Sequence, residues 1–380
     1  MVFIMIYPSI PLVWDYLSKP VDITVTQSSS LEGYTSAQQF PRFNLSRWLS
    51  GDFQDEFSTW FNENFYGRES YIRASNQMYY TFFKKSYMYN QSIIIGKDNQ
   101  LFEKAYIDDY INKPTMDLEE VDAFVNQVVQ ANSLLKQQGI TFVVLITPSK
   151  AFTYPEYLPP AIQNRGRSLS NYERIIPRLK ECGINLVDGQ QITSNLKNEH
   201  PIPLFCQGGT HWNDIATYHT LRVLDQTVKD VTGWNTVPLQ ISQQYVDNNP
   251  DATDQDLANL LNLMKKDWSY PAPHVILQGN DSASFFRPEV VLVGGSFCDR
   301  LVKMLMSTGW TNSLDFYSYY DDGIVYVPQQ RQVTLTFQPR EEYWWKDNIL
   351  SRDLVILEIN ETMFDGDHVN MFLEDLLKYL

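Results

Sequence analysis

The sequence has few cysteines, and their placement suggests neither a covalent nor a metal framework. Its 380 residues include only Cys182, Cys206 and Cys298, and none of these belongs to a Cys-x-x-Cys pair. An odd number of separated cysteines gives no disulfide framework. No cluster of histidine and cysteine has the spacing of metal ligands. We therefore predict three small buried thiols, no metal site and no cofactor.

Basic residues are scarce as well. The chain has 30 lysines and arginines against 45 aspartates and glutamates, a formal net charge of −15. Binding to nucleic acid needs clustered basic side chains that neutralise phosphate, so the composition argues against a nucleic-acid partner. A polyanionic substrate would be repelled overall, unless a local basic groove overrides the net charge.

Long apolar runs are missing. The first 14 residues, MVFIMIYPSIPLVW, are apolar but contain two prolines and no basic flank, and a membrane span needs ~20 residues. We interpret this stretch as the remnant of a signal peptide or signal anchor; the alternative is a segment that packs on the domain. Residues 20–45 are rich in Ser, Thr and Gln and predict a linker, so residues 1–45 precede the folded domain.

Aromatic residues, in contrast, are abundant at 14% of the chain. They suit either a large core or a surface that stacks on flat ligands such as sugar rings. Several recur at nearly helical spacing between residues 44 and 83, and SIIIGKDNQLFE (92–103) predicts a hairpin. We expect residues 46–115 to form a helical and hairpin extension of the main domain, residues 46–380.

From residue 116 onward, strand patterns alternate with helix patterns. One helix presents Val121, Phe124, Val128 and Leu135 on a single face. The apolar runs ITFVVLITP (140–148), EVVLVGGSF (289–297) and DLVILEINETMF (353–364) are typical of strands buried in a parallel sheet. Residues 234–287 interrupt the rhythm as an insertion with one short helix. The pattern predicts an α/β fold with a doubly wound, mainly parallel sheet, whose ligands bind beyond the carboxyl ends of the strands.

Two such strand ends carry a possible nucleophile and a possible base. VLVGGSF places Ser296 at a strand-to-helix turn, after Gly294 and Gly295, where helix amides can stabilise an oxyanion. QGGTHWND places His211, followed by Trp212, before another helix, and imidazole can accept a serine proton near neutral pH. The alternatives are a helix-capping serine and a structural histidine.

A third loop follows the strongest strand. ITPSKAFTYPEYLP (146–159) carries Lys150 and Tyr154. These two side chains would form a wall of the same cleft, or the segment is simply a loop closed by prolines.

The order of these segments resembles the SGNH-hydrolase-like domain of alginate O-acetyltransferases of the AlgJ and AlgX type. IIIGKDNQLFE, TPSKAFTYPEYLP, GGTHWN and LVGGSF carry the resemblance, which extends from about residue 50 to residue 380. It implies an SGNH-hydrolase-like fold and a serine acyl-enzyme, with Ser296 as nucleophile and His211 as base. Gly295, Lys150, Tyr154 and Trp212 would contribute to the oxyanion site and cleft.

The chain departs from the family pattern at two positions. The family's Asp-x-His-Trp and Gly-Asp-Ser-Phe motifs place aspartates where this sequence has Gly209 and Gly295. The acid that orients the base is therefore missing from its usual place. Asp188 and Glu361, each near the end of a strand, are the substitutes we consider, and a dyad without an acid is the alternative. On this view, Gly209→Asp should raise esterase turnover.

The resemblance implies an exported protein that is periplasmic or at the cell surface, either free or anchored by its N-terminus. It would transfer acetyl groups to an exopolysaccharide, with a membrane-bound O-acyltransferase as the partner that supplies them. Two other functions stay open: a binding or scaffold protein that has lost catalysis, and an acetyl-ester hydrolase.

Overall fold

The computed structural model describes residues 31–33, 39–65, 67–86, 92–111, 116–165, 167–265, 268–320, 322–327, 332–337 and 342–380. The apolar stretch at residues 1–14, interpreted as a signal or anchor remnant, lies outside these ranges. Within them, no helix is long and apolar enough to cross a membrane. The chain divides into two compact units. The first comprises residues 1–94 and 257–267, and the second comprises residues 95–256 and 268–380.

Three helices of the first unit follow the aromatic periodicity of the sequence. They are α1 (Leu45–Ser50), α2 (Asp52–Asn64) and α3 (Arg68–Met78). Aromatic rings one helical turn apart stack along α2, with centroids 6.1 Å apart for Phe53 and Phe57 and 6.2 Å apart for Phe57 and Phe61. No residue of α1 or α2 is buried. These aromatic residues therefore form a row of stacked rings that is not part of a buried core.

Strands and helices alternate along the chain from residue 93 onward. The predicted hairpin is formed by β1 (Ile93–Ile95) and β2 (Leu101–Glu103). The strands that follow are β3 (Thr141–Thr147), β4 (Leu186–Asp188), β5 (Ile241–Asp247), β6 (Ala272–Leu277), β7 (Glu289–Gly294), β8 (Ser313–Ser318), β9 (Asp322–Val327), β10 (Gln332–Phe337) and β11 (Leu354–Asn360).

The helices from residue 104 onward connect and cover these strands. They are α4 (Lys104–Tyr110), α5 (Leu118–Gln137), α6 (Lys150–Thr153), α7 (Pro160–Gln163), α8 (Asn171–Glu181), α9 (Gly189–Leu196), α10 (Asp214–Thr232), α11 (Asp256–Leu260), α12 (Cys298–Thr308), α13 (Glu342–Asn348) and α14 (Asp367–Tyr379).

The main sheet has the strand order β10-β9-β8-β7-β11-β3-β4 in the described part of the chain. The five strands from β8 to β4 are parallel, which confirms the predicted α/β fold with a mainly parallel sheet. Strands β9 and β10, which the alternating pattern did not predict, extend the sheet antiparallel to β8.

Both faces of the sheet are covered, as in a doubly wound fold. Phe142, Val144 and Ile146 of β3 belong to a core cluster that includes residues of α5, α8 and α14. The alternating residues Val143 and Leu145 are also fully buried, although successive side chains of a strand point to opposite faces. This two-sided burial explains why β3 reads as a continuous apolar run.

The helix face predicted for α5 is confirmed. Val121, Phe124, Val128 and Leu135 are all buried in that core cluster. A capping box starts the helix, since the Asp117 carboxylate accepts from Glu120 N at 2.8 Å and the Glu120 carboxylate accepts from Asp117 N at 2.7 Å. The apolar stripe and the cap thus agree on where α5 begins and which face it buries.

Among the thiols, the prediction of burial holds for Cys206 and Cys298 but is wrong for Cys182. Cys182 follows the last residue of α8 as its C-cap, where the helix has ended, and it is exposed.

Several carboxylates lie near the carboxyl edge of the sheet, and Glu361 is the most deeply buried of those that follow a strand. It comes directly after β11, is 1% exposed, and its Oε1 accepts a hydrogen bond from Ser149 Oγ. Its Oε2 has no hydrogen-bond partner among the described residues. Burial, reinforced by the neighbouring Asp109 carboxylate, raises the pKa of Glu361 to about 8. Glu361 is therefore held as a largely protonated acid at neutral pH.

We predict that Glu361→Gln stabilises the protein in a pH-dependent way. Between its ordinary pKa of 4.5 and the folded-state pKa of about 8, Glu361 binds more protons in the folded state than in the unfolded state. Its contribution to stability therefore falls as the pH rises through that window. The variant should melt at a higher temperature than the wild type at about pH 9, and the difference should shrink towards about pH 5. An equal difference at both pH values would contradict this account.

Candidate active site

Ser296 lies in a tight turn between β7 and α12. Cys298 N donates to Gly295 O at 3.1 Å and Asp299 N donates to Ser296 O at 3.2 Å, so the chain reverses within a few residues. A Cβ atom on Gly294 would lie 2.6 Å from Glu358 Oε2 and 2.7 Å from Cys298 Sγ. Glycine is needed there because neighbouring groups approach the backbone closely. The turn leaves Ser296 half-buried at the carboxyl edge of the sheet.

His211 reaches Ser296 from the loop that precedes α10. Its Nε2 lies 2.8 Å from Ser296 Oγ, within hydrogen-bond distance. The structure thus brings the predicted base and nucleophile into direct contact.

Trp212 and His211 are both fixed against Phe297, the residue that follows the serine. The Trp212 indole donates to Phe297 O at 2.9 Å, and the His211 ring lies 4.7 Å from the Phe297 ring. Trp212 is fully buried. It therefore supports the pair from behind and does not line the cleft as predicted.

The acid comes from the insertion. Asp256, at the start of α11, places Oδ2 2.6 Å from His211 Nδ1. Its other oxygen accepts from Thr210 N at 2.9 Å, which fixes the plane of the carboxylate. Asp256, His211 and Ser296 thus form one hydrogen-bonded series with the geometry of a Ser-His-Asp triad.

The two substitutes proposed from the sequence are wrong. Asp188 caps α9 by accepting from Gln191 N at 3.0 Å, and it also accepts from Tyr172 OH at 2.9 Å and pairs with Lys180 at 2.9 Å. Glu361 is buried against Ser149. Neither carboxylate is the partner of His211, because each is held by groups of its own.

Gly209 is where the resembled family has its acid, and here the backbone of the acid-bearing loop takes that space. A Cβ atom on Gly209 would lie 2.7 Å from Asp254 O and 3.0 Å from Thr253 O. Carbonyl groups of the backbone cannot yield as a flexible side chain can. The expectation that Gly209→Asp raises turnover is therefore wrong, because the new side chain would displace the loop that carries Asp256.

Lys150 and Tyr154 hold the histidine loop from behind. The Lys150 ammonium donates to Cys206 O at 2.7 Å, Gln207 O at 2.9 Å and Gly209 O at 3.1 Å. Burial lowers the pKa of Lys150 to about 7.

Tyr154 is nearly as buried, and its hydroxyl accepts from Leu204 N at 3.0 Å. The prediction that these two side chains form a cleft wall is wrong, since both are buried beneath the loop.

Gly295 does not offer its amide to a substrate. Gly295 N donates to Glu358 Oε2 at 2.7 Å, and Glu358 also accepts from Thr147 Oγ1. Glu358 is 1% exposed, and burial raises its pKa. Gly295 is therefore a structural part of the turn, and not an oxyanion donor as predicted.

Tyr319 is a site residue that the sequence analysis missed. Its hydroxyl donates to Ser296 Oγ at 3.1 Å and accepts from Ser296 N at 3.3 Å. The side chain is 42% exposed and its backbone has a φ of +51°. A Cβ atom on Gly295 would lie 3.1 Å from the Tyr319 ring. The missing aspartate side chain at 295 therefore leaves the space that the phenol ring occupies.

No group of three or more His, Cys, Asp or Glu side chains that could hold a metal ion occurs in the part of the chain that the structure describes. The triad itself can remove a proton from Ser296 and return it. The arrangement thus suits nucleophilic acyl transfer by a serine.

Comparison with known proteins places the chain in a family. The family described as the SGNH hydrolase-like domain of acetyltransferase AlgX matches residues 93–305. The alginate biosynthesis protein AlgX of Pseudomonas syringae pv. tomato is 22% identical over 120 residues, which are 31% of this chain and 24% of that protein. The matched segment thus spans about a quarter of that relative.

Two solved structures resemble this chain over most of its length. The O-acetyltransferase domain of Pseudomonas putida AlgJ is 16% identical, covers 76% of this chain and 99% of its own, and gives a TM-score of 0.47. Bacillus cereus PatB1 with a sulfonyl adduct is 10% identical, covers 73% and 96%, and gives 0.49. Because the family match covers more than half of the 380 residues, this chain belongs to the family of the SGNH hydrolase-like domain of acetyltransferase AlgX.

Proposed function

We propose that this protein transfers acetyl groups to a polysaccharide through an acetyl ester on Ser296. The observation that carries the proposal is the continuous hydrogen-bonded series from Asp256 through His211 to Ser296, with separations of 2.6 and 2.8 Å. The alternative of a non-catalytic scaffold protein rested on the absence of an acid that orients His211. Asp256 supplies that acid, so a catalytic function is the better interpretation.

In the first half of the reaction, His211 Nε2 accepts the proton of Ser296 Oγ as Oγ attacks the acetyl carbonyl of the donor. Asp256 accepts a hydrogen bond from His211 Nδ1–H. This bond keeps His211 in the tautomer with a free Nε2 and stabilises the imidazolium. The imidazolium then returns its proton to the leaving group, and the acetyl ester on Ser296 remains.

In the second half, His211 accepts a proton from a sugar hydroxyl, whose oxygen attacks the ester. Ser296 Oγ leaves and recovers the proton from His211. Water in place of the sugar would make the same site an acetyl-ester hydrolase. The two functions share every residue and differ only in the acceptor.

The oxyanion of each tetrahedral intermediate would take its hydrogen bonds from Ser296 N–H and the Tyr319 hydroxyl. In the resting site these two groups are hydrogen-bonded to each other, since Ser296 N donates to the Tyr319 hydroxyl. An oxyanion placed between them would accept from both. Tyr319 thus takes the place of the Gly295 amide, which Glu358 occupies.

The acceptor is a neutral glycan in preference to a polyuronate. Besides Asp256, the carboxylates of Glu103 and Asp299 lie close enough to His211 to interact with it electrostatically. This local negative charge agrees with the net charge of −15. An anionic polymer would therefore approach the site against repulsion.

The donor partner would be a membrane-bound O-acyltransferase, and the protein would act outside the cytoplasm. The family resemblance is the support for both points, and the apolar composition of residues 1–14 is further support for the second.

The acyl-enzyme provides the first test. After incubation with an activated acetyl ester, intact-mass measurement should show a gain of one acetyl group in the wild type and none in Ser296→Ala. Ser307→Ala is a matched control, because Ser307 lies on α12 and its hydroxyl donates to Met304 O, away from the triad. A gain that persists in Ser296→Ala would refute Ser296 as the nucleophile.

Offering acceptors to the acetylated enzyme separates the functions. Faster loss of the acetyl group to a neutral oligosaccharide than to water, with the acetylated sugar detected by mass, supports transfer. Loss to water alone supports hydrolysis, and preferred transfer to an oligouronate would overturn the choice of acceptor.

Asp256→Asn should lower kcat/KM by ~10²- to 10⁴-fold, because the asparagine favours the wrong tautomer of His211 and cannot stabilise its charge. Asp188→Asn is the control, since Asp188 has no contact with the triad, and its kcat/KM should stay within about twofold of wild type. The role of Asp256 fails if the two variants behave alike.

Tyr319→Phe keeps the ring over Gly295 but removes the hydroxyl. If the phenol stabilises the oxyanion, kcat should fall ~10²- to 10³-fold with little change in KM. Steady-state kinetics on an activated acetyl ester measure both constants. An unchanged kcat would show that Tyr319 only packs beside the serine.

A further inference from the structure

Arg300 is buried among three aspartates in the second unit. It lies on α12, four residues after Ser296, and is 4% exposed. Its guanidinium pairs with Asp254 at 2.8 Å, with Asp251 at 3.0 Å and with Asp214. We infer that Arg300 is a positioning residue that sets the carboxylate of Asp256 against His211. This inference rests on the proposed triad chemistry.

The link from Arg300 to the acid runs through Asp254. Asp254 is fully buried and precedes Asp256 by two residues, a span of at most ~7 Å of extended chain. A buried carboxylate needs a cation or hydrogen bonds, since an uncompensated one is strongly destabilising. Arg300 supplies the cation, so the place of Asp254, and with it that of Asp256, depends on the guanidinium.

The backbone of this loop is fixed on its other side as well. Asp254 O accepts from Tyr270 OH at 2.8 Å and lies against Gly209. A displaced Asp254 side chain would therefore shift a segment that directly touches the histidine loop.

Arg300 also connects the base to the nucleophile. Asp214 follows His211 by three residues at the start of α10, and its second oxygen accepts from Val275 N at 3.0 Å. Through Asp214 the guanidinium joins the helix after the base to the helix after the nucleophile. One side chain thus contacts all three segments that carry the triad, although it touches none of the reacting groups.

The charge of the cluster explains why a guanidinium is needed. Three carboxylates converge on it, and its planar fork of donors can bind several of them at once, whereas an ammonium is a single point charge. Arg300→Lys should keep the cation but lose part of this geometry, and Arg300→Gln should lose both.

The test measures the hydrogen bond between His211 and Asp256 directly, as the far-downfield proton resonance of His211 Nδ1–H in the NMR spectrum. In Arg300→Gln we expect this resonance to be lost and kcat/KM on an activated acetyl ester to fall about 10²-fold, the cost of a ~1 Å misplacement. Arg300→Lys should retain the resonance and lie between Arg300→Gln and the wild type in rate.

Arg352→Gln is the matched control. Arg352 forms a second cluster, with Asp315 at 2.7 Å and Glu289 at 3.1 Å, on residues at the amino end of the sheet. Its loss should lower the melting temperature but leave the resonance and kcat/KM unchanged.

The inference is overturned if folded Arg300→Gln keeps the resonance and kcat/KM within about twofold of wild type. If that variant does not fold, Asp254→Asn, which preserves volume, should show the same loss of resonance, and a normal resonance in it would count against the inference. If the wild type shows the resonance but no acyl chemistry, the proposed function fails. Loss of the resonance in Arg300→Gln would still support the positioning role.

Discussion

The site depends on a close contact between two stretches of backbone. The carbonyl of Asp254 lies where a side chain at position 209 would begin, so the histidine loop and the acid loop touch directly. Other interactions hold this contact in place: Lys150 binds carbonyls of the histidine loop, and Tyr270 binds the carbonyl of the acid loop. Base and acid are thus held together by the packing of two loops, and not by being close in the sequence.

This arrangement shows what the chemistry of a triad requires. His211 Nδ1 needs a carboxylate oxygen at hydrogen-bond distance, and the position of that carboxylate in the sequence is free. Similar triads occur in different chain orders on unrelated folds. Here the glycine at 209 and the use of Asp256 as the acid go together, because a side chain at 209 and the loop that carries Asp256 cannot share the same space.

The sequence was informative wherever a function depends on local pattern. Continuous apolar runs identified the central strands, and Ser296 and His211 were found because each directly follows a strand-like segment near a helix start. Asp256 could not be found in this way. It lies 45 residues after His211 in a segment with several aspartates, and only tertiary packing distinguishes one of them.

Tyr319 was not predicted as a site residue for a related reason. Its importance comes from the parallel register that aligns Ser318 of β8 with Gly294 of β7, and a single sequence does not reveal which strands are neighbours. The antiparallel addition of β9 and β10 was missed because their short strand patterns follow β8 without the helix that the alternating pattern led us to expect.

The double contact on Phe297 has a consequence for how such a site can change. His211 packs on the Phe297 ring and Trp212 binds its carbonyl, while Phe297 is covalently attached to Ser296. His211 and Ser296 are therefore held beside each other by contacts that do not involve the acid. The acid behaves as a replaceable part: a loop from elsewhere in the chain can take over its task without the serine and histidine having to find each other again.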